Sequence, residues 1–69
     1  MYSADRLREL MEAQGRRSDW LASVAEYDTA TVSRVLNGSQ AMSEKFAQRA
    51  AAALGVPVHW LLAESAVAS

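Results

Sequence analysis

Three glycines, Gly15, Gly38 and Gly55, divide the chain, and each follows a segment whose apolar residues recur at helical spacing. That is the position at which a left-handed residue ends a helix, and glycine adopts that conformation at little cost. A single proline, Pro57, completes the punctuation. No stretch alternates strictly between apolar and polar residues, and no strand-like run lies between turn signals. The spacing therefore predicts an all-α chain of five short helices: one domain over residues 1–69, with an ordered core over 3–63 and a frayed tail over 64–69.

A chain of 69 residues has room for one small core. Such a core supplies about 3–5 kcal/mol unless something staples it. With no cysteine there is no disulfide and no thiolate metal site, and the lone His59 makes no metal cluster. No metal or cofactor is expected, which leaves a partner subunit as the staple. Hydrophobic residues are 51% and charged residues 22% of the chain, in the range of globular proteins. No run of 18 apolar residues occurs, and the Met-Tyr-Ser-Ala-Asp-Arg start is not a signal peptide, so a cytoplasmic protein without membrane contact is expected. The net charge is −1 and the pI about 5.7, so nothing in the overall charge marks a nucleic-acid binder.

The first helix is expected over Ala4–Ala13, capped by Ser3, with Leu7, Leu10 and Met11 inward and Arg6, Glu9 and Glu12 toward water. The second, Ser18–Ala25, buries Leu21, Ala22 and Ala25; Trp20 falls off that stripe, half exposed or a lid on the core. Glu26-Tyr27-Asp28 breaks the chain, and Asp28 has the chemistry of an N-cap for a third helix, Thr29–Leu36. There Val32, Val35 and Leu36 point inward, while Thr29, Ala30, Thr31, Ser33 and Arg34 lie outward. Ser43 caps a fourth helix, Glu44–Leu54, with Phe46, Ala47, Ala50 and Leu54 on one face and Lys45, Gln48 and Arg49 on the other. A fifth, Val58–Ala63, enters through Pro57 with His59 on the surface. Two short helices around a three-residue break, the second outwardly small and polar, form the helix-turn-helix pattern.

Residues Leu21 to Gly38 resemble the core of the Cro/CI (lambda-repressor-like, XRE) DNA-binding domains, and Ala53 to Leu62 resemble that family's closing stretch. The resemblance spans residues 5–63. Four positions depart from it. Glu26 stands where a turn glycine is common, implying a different turn or a modest strain. Ser18 replaces a phosphate-touching glutamine. Met11 and Leu36 stand where relatives pair an arginine with a glutamate. Pro57 replaces a cap serine.

The resemblance implies a recognition helix whose outward face enters the major groove. It gives base-edge roles to Thr29, Ala30, Ser33 and Arg34, with Thr31 on a base or a phosphate; Arg34 suits guanine O6 and N7. Phosphate contacts fall to Arg16, Arg17, Ser18, Asn37, Ser39 and Gln40. The family's C-terminal region often forms the dimer contact, which points to Val58, Trp60, Leu61 and Leu62. With no catalytic constellation and no phosphate loop, an enzyme is not expected. The sequence closes directly after the fifth helix, so a stand-alone regulator without a small-molecule effector is expected. The expected function is a Cro-type phage or prophage repressor, nucleoid-associated, binding a palindromic double-stranded operator as a homodimer. An antitoxin or controller-type autoregulator, or an interaction module that lost DNA binding, is the alternative.

Overall fold

The computed structural model describes residues 2–62. Four α-helices follow in order, α1 (Ala4–Gln14), α2 (Ser18–Ala25), α3 (Thr29–Leu36) and α4 (Glu44–Leu54), and a 3-10 turn, Val58–Leu61, closes the fold. No helix among the described residues is long and apolar enough to cross a membrane. The expected tail 64–69, and Ala63 at the end of the expected fifth helix, lie outside the described residues.

The helix ends follow from local chemistry. The Ser3 hydroxyl accepts the Arg6 N–H at 3.3 Å and the Ser43 hydroxyl accepts the Phe46 N–H at 3.1 Å, so both expected N-caps form. Gly15 ends α1 and Gly55 ends α4 in the left-handed region. The expected fifth α-helix is corrected to a 3-10 turn of four residues. Pro57 carries no N–H, and the segment stops after Leu61, too short to repay an α-helical nucleus. Its bonds run i to i+3 instead, with Trp60 N donating to Pro57 O and Leu62 N to His59 O, both at 3.1 Å. The chain then runs extended, and Leu62 pairs with Tyr2 in an isolated antiparallel bridge.

The core draws on every element. Leu7 and Met11 come from α1, Leu21, Ala22 and Ala25 from α2, Val32 and Val35 from α3, Phe46, Ala47, Ala50, Ala51 and Leu54 from α4, and Leu61 from the turn. No charged or polar residue is buried among the described residues. The alanines of α4 let α2 approach closely, and α4 also packs on the closing turn. Two expectations change here. Arg6 is half-buried rather than out in water. Leu61, assigned to a dimer surface, is fully buried, because it is the residue through which the closing turn packs on the core. Trp60 beside it is 47% exposed, and Val58 and Leu62 are half-buried.

Between α2 and α3, Glu26 takes φ 66, the one described non-glycine residue with positive φ. The turn has thus kept a geometry that suits glycine, and the acid carries the strain, about 1–2 kcal/mol for an L-residue in that region. Glu26→Gly is expected to stabilise the protein by about 1 kcal/mol and to raise its Tm by roughly 4–8 °C in thermal unfolding followed by circular dichroism. Leu61→Ala is expected to cost about 2–5 kcal/mol in urea unfolding, and Trp60→Ala far less, since only Leu61 leaves a cavity in the core.

Candidate nucleic-acid interface

Three groups from outside the α2–turn–α3 unit fix its angle. Phe46 of α4 packs against Tyr27 of the turn with ring centroids 4.8 Å apart. Arg49, placed by periodicity on a solvated face, reaches back to the turn: its Nη1 donates to the Ala25 carbonyl at 3.3 Å and its guanidinium lies 5.4 Å from the Tyr27 ring centre. Arg8 of α1 donates to the Leu36 carbonyl at the end of α3 while pairing with Asp5. That carbonyl has no helical partner of its own, so the arginine satisfies it and ties α1 to α3.

Held this way, α3 buries Val32 and Val35 and exposes Thr29, Ala30, Ser33 and Arg34, with Thr31 half-buried. The guanidinium of Arg34 is placed by two neighbours: Nε donates to Gln40 Oε1 at 3.2 Å and Nη2 to Thr31 Oγ1 at 3.4 Å. Asp28 occupies the N-cap position with extended backbone, but its carboxylate makes no capping hydrogen bond to the helix, which corrects the expected cap. The Thr31 hydroxyl nevertheless holds the Asp28 carboxyl below the ordinary carboxylate range, with the Arg34 charge adding to the effect.

The residues expected to meet phosphate divide into two groups. At the start of α2, the Arg16 guanidinium stacks 4.3 Å from the centre of the Trp20 ring. Arg17 is the exposed N-cap residue, without a side-chain cap bond, and Ser18 is half-buried. After α3, the Asn37 side chain accepts the Ser39 N–H at 2.9 Å, so the asparagine shapes the loop. Gln40 sits against Arg34. Arg16 and Ser18 of the first group line one groove with Arg8, Met11, Glu12 and Leu36. Met11 and Leu36, the apolar replacements for the family's ion pair, thus meet the same groove, where a hydrophobic pair avoids the desolvation that buried charges cost.

Sequence reasoning missed the tethers Arg8 and Arg49 and the role of Trp20 as a platform for Arg16. Only the last had a local signal, the i, i+4 spacing of Arg16 and Trp20. The other two bridge elements distant in the chain, and nothing in the pattern pairs them.

Comparison with known proteins agrees with this geometry. A family model described as a helix-turn-helix domain matches residues 4–62. Among solved structures, the chain is similar to the restriction-modification controller protein C.AhdI from Aeromonas hydrophila, with 30% sequence identity and a TM-score of 0.81. That match covers 86% of this chain and 89% of the other. No curated protein matches the chain.

Arg49→Met removes the hydrogen bond to Ala25 and the stacking on Tyr27 together. It is expected to lower stability by about 1–2 kcal/mol in chemical denaturation, with the helical circular dichroism of the folded state unchanged.

Proposed function

The chain belongs to the Cro/CI-like helix-turn-helix family, and from that premise we propose that it is a DNA-binding transcriptional regulator that reads a two-fold-symmetric operator as a homodimer. The observation that carries the reading is the exposed face of α3, where Thr29, Ala30, Ser33 and Arg34 stand clear of the core. A helix presented in this way fits the major groove, where arginine can donate to guanine and small side chains can meet a thymine methyl. Arg16, Arg17 and the loop after α3 are suited to the flanking phosphates.

The likeness to a restriction-modification controller favours a controller-type autoregulator over a phage repressor within this class. Binding, without catalysis, cofactor or small-molecule effector, is the activity assigned to it, in a bacterial or phage-infected cytoplasm. For the dimer contact the fold favours the face around Trp60. Its indole lines a groove with Leu10 and Ala13 from α1, flanked by one residue of each charge, Arg6 and Glu9. One recognition helix reads few base pairs; two of them about 34 Å apart double the readout and require a two-fold contact.

Selection of bound fragments from a random DNA pool tests the reading. A palindromic site is expected, with a footprint covering both half-sites. Trp60→Glu should keep the helical spectrum, sediment as a monomer and bind the selected site more weakly. Lack of retention on heparin, with no fragment selected, would favour a protein-interaction module, for which the acidic pI and the exposed Glu26 speak.

Arg34→Ala should relax specificity at one position of each half-site. If the side chain only grips phosphate, affinity falls evenly across sequences and the salt slope drops by about one. Titrations of matched and mutated sites at two salt concentrations separate these results.

A further inference from the structure

Arg34 is the only cationic residue of α3, and its side chain is long and exposed. Free in solvent, such a side chain would lose most of its rotamer freedom on being fixed against a base. Here much of that ordering is already present. The loop after α3 folds back so that the Arg34 carbonyl accepts both the Ser39 N–H at 2.9 Å and the Gln40 N–H at 3.1 Å. Gly38 allows this reversal by taking φ 85, and the Asn37 side-chain oxygen accepts the same Ser39 N–H. Backbone pinning of residue 40 to residue 34 sets their side chains together, and Gln40 Oε1 accepts from Arg34 Nε.

The choice of nitrogen matters. A guanidinium has five N–H donors on distinct edges. Gln40 takes Nε–H and Thr31 one N–H of Nη2, which leaves the outer fork of Nη1 and Nη2 to meet a base. A two-acceptor guanine edge, O6 and N7, matches a fork of that kind. We propose that Gln40 is a positioning residue that fixes the Arg34 fork for guanine, rather than the phosphate contact its residue type suggests. The inference rests on the DNA-binding reading given above.

The test uses the whole protein and fragments selected by it from a random DNA pool. The reference position is the guanine whose replacement Arg34→Ala no longer senses. Affinities are measured at two salt concentrations for the selected fragment and for the fragment with that guanine replaced. Gln40→Ala is expected to weaken binding of the guanine fragment about fivefold more than binding of the substituted one, the low end of what an arginine–guanine pair discriminates. In the Arg34→Ala background the same change should leave the ratio as it is. Gln40→Glu keeps an acceptor for Nε–H and should restore the ratio, while its charge lowers affinity for both fragments. Circular dichroism confirms that each variant is folded.

An even loss on both fragments from Gln40→Ala, with the salt slope reduced by about one, would make Gln40 a phosphate contact and overturn the proposal. So would an unchanged ratio in Gln40→Ala, or the absence of any guanine sensed through Arg34. A wild-type protein that selects no fragment would instead overturn the DNA-binding reading, and this inference with it.

Discussion

The packing of α4 against the turn between α2 and α3 is the contact on which the rest depends. Phe46 lies against Tyr27, and Arg49 stacks on the same ring while satisfying the Ala25 carbonyl at the end of α2. A helix end leaves its last carbonyls without helical partners. A turn stabilised only by its own backbone would leave α2 and α3 free to change their angle. With one side chain bridging carbonyl and ring, the pair moves as a unit, and the face of α3 acquires a fixed direction.

That fixed direction comes from a small, dry core. All its members are apolar, and three leucines, Leu7, Leu21 and Leu61, are completely enclosed. Burial of a leucine contributes about 1.5–3 kcal/mol, so these three are a large share of what a chain of this size can gain. The polar work is done at the rim instead. Arg8 and Arg49 each end a helix by donating to its carbonyl from a different helix. Such bonds order the elements without burying a charge, which a core this thin could not easily compensate.

Charge is organised locally in a molecule whose net charge is −1. Arg16 is held on Trp20, Arg34 by Gln40 and Thr31, and Arg8 at the end of α3. A cation held in place loses less freedom when a phosphate or base arrives, so a few ordered arginines offset the absence of a broad basic surface. Thr31 also lies between Asp28 and Arg34, and the acid stays ionised beside it, extending this order to the start of α3.

Apolar spacing and capping chemistry by themselves determined the four α-helices, because both signals act within a few residues. Ser3, Ser43, Gly15 and Gly55 cap their helices through bonds to neighbours three or four positions away. The outward set Thr29, Ala30, Ser33 and Arg34 was legible for the same reason, as the complement of Val32 and Val35 on a helix. The tertiary structure alone decided the rest. Leu61 is core and Trp60 surface only because the last segment closes as a 3-10 turn and then pairs with Tyr2. Glu26 is strained only because the packing of α2, α3 and α4 demands a left-handed residue there. Arg8, Arg49 and Gln40 find partners set by how elements and loops return to one another in space, and a periodicity read along one helix carries no information about that return.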